Sequence, residues 1–282
     1  MRFSVACGAL SVLTLSTLSA AAGDSPAPAK VFQAREGVRH VRDKLQAGAP
    51  VTVVFLGGSI TANGSGFTGL TPKWLETQFP QAKIRALNAG ISGTPSRFGA
   101  QRVDRDVLAF KPDLVFVEFA VNDGENDASE DMERLVRKIW TVSPETDVVF
   151  LYTLNAATHL PSYQSGVFPK AASSHERVAN HYGIPSIGIG GAAAEKILAG
   201  TLRKEDFAAD GVHPSPQGYA VYQEAIEKAL AAMLAEKSPA RTRTMPEPLT
   251  PQFVLYKEPP KLEPMPVPDP LELGDGRQAA ET

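Results

Sequence analysis

Cysteine is nearly missing from this chain. Cys7 is the only one, and it lies in an N-terminal apolar segment. If that segment is removed, the remaining chain has no thiol, which excludes a disulfide framework, a thiolate metal site and a cysteine nucleophile. An oxidising compartment poses such a chain no difficulty, and its stability must come from the core. Long apolar runs are missing too: no stretch reaches the roughly 18 strongly apolar residues that a membrane span needs. So is an excess of positive charge. The formal net charge is -3, so nucleic acid and anionic membrane are not expected partners. The basic cluster Arg241-Thr242-Arg243 is short and reads as solvated tail. No internal repeat is visible, and nothing in the sequence sets an oligomeric state.

The rest is ordinary globular material, 43% hydrophobic and 21% charged over 282 residues, enough for one sizeable core. At the N-terminus, Arg2 precedes an apolar, small-residue run over 4–20, and Ala20-Ala21-Ala22 supplies a cleavage pattern before Gly23. Residues 1–22 therefore read as a signal peptide, with the product secreted or periplasmic and not stably inserted in the membrane after cleavage. Serines and threonines interrupt the run, which argues against a permanent anchor. Val5-Ala6-Cys7 lies too early for a lipoprotein box.

Residues 23–31 are mostly Pro, Ala and Ser and read as a linker, and 32–237 as the one folded domain. Phe32, Val38, Val41 and Leu45 among charges predict an amphipathic helix over 32–47. Continuous apolar runs, of the kind buried on both faces of a parallel sheet, then predict strands at 51–56, 84–87, 114–119, 148–154 and 184–189. Helices are predicted between them near 70–79, 97–109, 129–142, 171–182 and 191–199. A last helix, over 216–236, carries the stripe Tyr219, Tyr222, Ile226, Leu230, Leu234. Alternation of this kind argues for a doubly wound α/β domain with a parallel sheet of about five strands; the flavodoxin-like order 2-1-3-4-5 is the expected one, though periodicity alone does not fix it. From 238 to 282 the chain is proline-rich and cannot form a second core. It either hangs free or wraps the surface through Phe253, Leu255 and Tyr256, and is expected to contribute little to catalysis.

In such a sheet, ligands bind beyond the carboxyl ends of the strands. After the first strand comes Gly57-Gly58-Ser59-Ile60-Thr61, after the second Asn88 to Thr94, and after the third Ala120-Val121-Asn122-Asp123. Asp210-Gly211-Val212-His213 comes before the last helix. One rim thus collects a serine, glycine-rich backbone, an asparagine and an Asp-x-x-His pair. A serine hydroxyl is a weak nucleophile until a base takes its proton. A histidine suits that task, and a carboxylate fixes its tautomer. Backbone N–H groups and an asparagine amide can stabilise an oxyanion. Glycines 57 and 58 allow a tight turn that presents Ser59. Taken singly, each piece is a common turn or helix-capping pattern; the argument rests on all four arriving at strand ends.

Residues 50–236 resemble the SGNH hydrolases, the group that includes GDSL esterases and lipases. The blocks that carry the resemblance are Phe55 to Thr61, Asn88 to Thr94, Ala120 to Asp123, and Asp210 with His213. The resemblance implies Ser59, Asp210 and His213 as catalytic residues. It implies an oxyanion hole from Ser59, Gly93 and Asn122, and cofactor-free hydrolysis of esters, thioesters or amides on a three-layer α/β/α fold. Gly58 stands where the name-giving motif has aspartate, and Ala120 where the third block has glycine; neither removes a reacting group. The form Gly-Gly-Ser-Ile-Thr together with Glu118 to Asp123 resembles secreted enzymes acting on carbohydrate esters. The implied substrate is a small-molecule or glycan ester with a short acyl group, since no long apolar lid segment is evident. Transfer of the acyl group to a sugar hydroxyl, or a non-catalytic glycan-binding envelope protein, are the alternatives.

The other polar residues receive plainer readings. His40 is expected at the surface, and His175 and His181 in packing or solvent, since their spacing does not suit a metal. No metal site is expected. His159 sits in a loop read either as a substrate-binding wall or as a plain connection. Asp123, Glu125, Asp127, Glu130 and Asp131 read as a solvated acidic face and a helix N-terminal charge bias rather than a calcium loop. Glu118 within an apolar strand needs a partner if buried, and is expected to support the rim from behind.

Overall fold

The computed structural model describes residues 25–249; the expected signal peptide and the end of the proline-rich tail lie outside the described residues. In chain order, the strands are β1 Phe32–Gln33, β2 Val51–Gly57, β3 Ile84–Gly90, β4 Leu114–Glu118, β5 Asp147–Leu151 and β6 Ser186–Ile187. They form one sheet in the order β1-β6-β5-β4-β2-β3. From β2 to β6 every pairing is parallel, which is the flavodoxin-like order; β1 adds an antiparallel edge on β6. The helices are α1 Arg39–Gln46, α2 Ser59–Ala62, α3 Phe67–Gln78, α4 Ser96–Asp106, α5 Ala120–Asp123, α6 Ser129–Val142, α7 Leu160–Gln164, α8 Lys170–Tyr182, α9 Ile189–Leu198, α10 Lys204–Phe207 and α11 Pro216–Leu234.

The period of two along each strand makes the layers. Val53 and Phe55 of β2, Phe116 of β4 and Val149 of β5 face a core closed by α1, α3, α9 and α11. Val54 and Leu56, Val115 and Val117, and Val148 and Phe150 face a second core closed by α4, α6 and α8. Phe55 and Phe116 stack on neighbouring strands with ring centroids 5.0 Å apart. The α11 helix starts at Pro216, whose fixed φ suits a first helical position, behind Ser215, whose hydroxyl accepts the Gly218 N–H at 3.2 Å.

Several expectations need correction. Residues 32–47 are not one helix. Phe32–Gln33 pairs with β6, and the helix begins only at Arg39, after a turn in which Arg35 and Gly37 take positive φ. The fourth and fifth parallel strands are shorter than their apolar runs. Past Leu151 the chain leaves the sheet, and the Leu154 N–H is taken by the Tyr222 hydroxyl at 2.9 Å. Residues 25–31 are bound rather than loose: Ala27 N–H donates to Ser173 Oγ at 3.0 Å and Ala29 N–H to the Gly166 carbonyl at 2.9 Å. Arg243 is not solvated tail. Its guanidinium lies 4.3 Å from the Trp140 ring centroid and donates to Asp147 Oδ1 at 3.1 Å.

Candidate active site

The carboxyl ends of three adjacent strands set the site. Gly57 is in register with Gly90 on one side and Glu118 on the other. Ser59, Gly93 and Asn122 follow two, three and four residues beyond those positions, so all three arise along one rim. Ser59 opens α2 and Asn122 lies within α5, while Gly93 occupies the turn before α4 with φ +72°, where a side chain would be strained. His213 and Asp210 come from the loop between α10 and α11.

His213 Nε2 lies 2.8 Å from Ser59 Oγ, and its Nδ1 lies 2.6 Å from Asp210 Oδ2. The other Asp210 oxygen accepts the N–H groups of Val212 and His213, each at 2.8 Å. The His213 hydrogen bond first, and these two backbone donors after it, hold the Asp210 carboxyl well below the usual carboxylate range. Asp210 is therefore ionised at ordinary pH and accepts a hydrogen bond from His213 Nδ1–H. The pair is open to water, with side chains 53% and 55% exposed for His213 and Asp210. Neighbouring loops brace it: the Ala156 N–H donates to the Gly211 carbonyl at 2.7 Å, tying the segment after β5 to the Asp210 loop.

Gly58 has a steric explanation. A Cβ there would lie 2.0 Å from Asn122 Oδ1 and 3.2 Å from its Nδ2, so glycine is what lets the amide sit against the turn. Asn88 holds the same turn from below, donating from Nδ2 to the Thr61 carbonyl at 2.9 Å while its Oδ1 accepts the Gly90 N–H at 2.9 Å. Arg102 of α4 was unforeseen. Buried, it donates to the Gly57 carbonyl at 3.0 Å and the Ala89 carbonyl at 2.7 Å, joining the ends of β2 and β3. Tyr219 of α11 reaches the Ile60 carbonyl at 2.9 Å. Nothing in the sequence marks Arg102, a charge on an amphipathic helix, as buried.

Glu118 is fully buried and accepts the hydroxyls of Thr61 at 2.9 Å and Thr153 at 2.6 Å; burial pushes its carboxyl above the usual range. Asp123 leaves the acidic face assigned to it. It is buried, accepts the Ser96 N–H at 2.9 Å and pairs with buried His175 at 2.8 Å. His159 is also buried. Its Nδ1 accepts the Asn155 N–H at 3.2 Å, and burial lowers its pKa, opposed in part by Glu125. It supports the 155–159 loop from within rather than presenting an exposed wall. His40 is not free at the surface, lying 3.2 Å from Asp147 Oδ1. No group of three His, Cys, Asp or Glu side chains suited to a metal occurs among the described residues. A cavity of about 460 Å³ lies at the amino end of β5 beneath residues 241–246, and none of Ser59, Asp210 or His213 lines it.

Comparison with known proteins gives a consistent frame. The family model for GDSL-like Lipase/Acylhydrolase matches residues 55–221. An acetylxylan esterase of Geobacillus stearothermophilus is 38% identical over 66 residues, 23% of this chain and 30% of that protein. A two-domain esterase active on acetylated mannans, crystallised with mannopentaose, superposes with TM-score 0.65 at 29% identity over 78% of this chain and 60% of its own. A catalytic mutant of an acetylxylan esterase from Geobacillus stearothermophilus shares the fold, with TM-score 0.52, 20% identity, and 64% and 94% of the two chains covered. The chain thus spans less than two thirds of the first two relatives.

Proposed function

Because the chain belongs to the GDSL-like lipase/acylhydrolase family, we propose that it is a serine esterase that removes short acyl groups, acetyl above all, from carbohydrate esters. The relay from Ser59 through His213 to Asp210 carries the reading. Ser59 Oγ attacks the ester carbonyl while His213 Nε2 takes its proton. Asp210 accepts the Nδ1–H bond and stabilises the imidazolium. The oxyanion is met by the Ser59 and Gly93 N–H groups and the Asn122 amide. His213 then returns the proton to the departing alkoxide. A water, deprotonated in turn by His213, releases the acyl group and restores Ser59.

The acetylated-carbohydrate class rests on the relatives that act on acetylated mannan and xylan. The exposure of His213 and Asp210 leaves room beside the serine for a bulky alcohol part of the ester. Release of acetate from acetylated mannan and xylan, beside a series of acetyl, butyryl and longer aryl esters, tests this. Preference for long acyl chains would reject it, as would a folded Ser59→Ala variant with near wild-type turnover. The reading includes export, with the mature chain beginning near Gly23; an exported protein that still carries Met1 would refute that part.

A further inference from the structure

Large apolar side chains exposed among the described residues include Ile91, Phe98, Val142 and Leu198. Val142 and Leu198 end α6 and α9. Ile91 and Phe98, 37% and 41% exposed, instead bracket the turn that carries Gly93. Both are fixed to the backbone that presents the serine. The Ile91 N–H donates to the Gly57 carbonyl at 3.0 Å, two residues before Ser59. The Arg102 guanidinium donates to that same carbonyl, and its Cζ lies 5.9 Å from the Phe98 ring centroid. The start of α4 is anchored by the Ser96 N–H on Asp123 Oδ1, beside Asn122. It also lies close on the sheet, since a Cβ at Gly99 would fall 2.5 Å from the Phe119 ring. The Phe98 ring therefore stands on an anchored segment, backed by a cation and open to water next to the Gly93 turn.

We infer that Ile91 and Phe98 form a sugar-binding subsite for the alcohol part of the ester, taking the C–H face of a pyranose ring beside the acylated hydroxyl. This rests on the esterase reading above and extends it to the leaving group. An aromatic face carries negative charge density and suits the polarised C–H bonds of a sugar, while Ser92 and Arg97, both exposed on the same segment, are available to its hydroxyls. Apolar area left in water on an anchored backbone is area a ligand can cover without ordering the main chain. A stable protein partner would need about 800 Å² per side, far more than two side chains offer.

The test compares kcat/KM on an acetylated manno- or xylo-oligosaccharide with kcat/KM on a small aryl acetate. In Phe98→Ala the ratio of the two should fall about three- to tenfold, the range of an aromatic contact. It should recover in Phe98→Trp, and a control, Val142→Ala, should not move it. A Phe98→Ala ratio equal to wild type, or an equal fall in the control, overturns the subsite and leaves the esterase reading standing. A wild-type enzyme that cleaves the aryl acetate but no glycan ester overturns the subsite together with the carbohydrate assignment.

Discussion

Thr61, two residues beyond the serine, donates its hydroxyl to the buried carboxyl of Glu118 at 2.9 Å. The other Glu118 oxygen takes the Thr153 hydroxyl at 2.6 Å. Thr61 lies on the helix that presents Ser59. Thr153 lies on the segment that runs into Ala156, whose N–H braces the Asp210 loop through Gly211. One side chain thus links the helix of Ser59 to the segment that braces the Asp210–His213 loop.

The raised pKa of Glu118 gives this strut a pH signature. Above the ordinary value of 4.5 the unfolded chain has lost a proton that the native state still holds. Stability from this group is therefore fully present below 4.5 and declines as pH rises towards the folded pKa. Glu118→Gln keeps the shape and removes the titration. Its stability relative to wild type should improve steadily as the pH is raised from acid towards neutral, read as urea midpoints at matched pH. Parallel curves would show that Glu118 does not titrate in that window.

Gly58→Ala should act through Asn122. The added Cβ would fall 2.0 Å from Asn122 Oδ1, so the amide must turn away. Turnover should drop by roughly 10²-fold, as when one oxyanion donor is lost. The double variant with Asn122→Ala should be little worse than Asn122→Ala alone, since both remove the same contact. Additive losses would mean that Gly58 serves something other than the amide.

The sheet was legible because β2 and β4, buried on both faces, read as unbroken apolar runs with turns behind them. The four blocks that carry Ser59, Gly93, Asn122 and the Asp210–His213 pair were legible because loops at strand ends carry their polar residues in the open. What escaped was of three kinds. Helices of four or five residues, α2, α5, α7 and α10, are too short to show a period. Buried polar pairs have no composition signal: Asp123 with His175, and Arg102 on the Gly57 carbonyl, look like surface charges until long-range contacts bring their partners in. The edge strand β1 was hidden because two residues cannot alternate.

The segment after α11 should matter to stability and little to chemistry. Arg243 covers Trp140 and pairs with buried Asp147, and the Leu249 N–H donates to Glu133. These contacts lie at the amino end of β5, away from the serine. Arg243→Ala should cost about 2 kcal/mol, from a lost ring contact and an under-satisfied buried carboxylate. A chain ending at Lys237 should unfold at lower urea yet keep its small-ester turnover. A truncated chain that folds but is inactive would place part of the chemistry in this segment.

The relay itself makes two linked demands. Ser59→Ala and His213→Ala should each remove most of the turnover, and combining them should cost little more, because members of one proton relay fail as a unit. The acid limb of the pH profile follows from the geometry of Asp210. With His213 and two backbone N–H groups bound to it, its carboxyl stays ionised far below the usual range. The carboxylate therefore takes up no proton in the working range and adds nothing to the acid limb. A plot of log kcat/KM against pH should therefore not reach a slope of two on the acid side. A limiting slope of two would mean that the carboxylate titrates in the same range, contrary to its hydrogen bonding. Asp210→Asn should lower the whole profile by up to about 10⁴, since an amide can hold the ring in the wrong tautomer. Steady-state kinetics across pH, with folding of each variant checked by circular dichroism, decides between these outcomes.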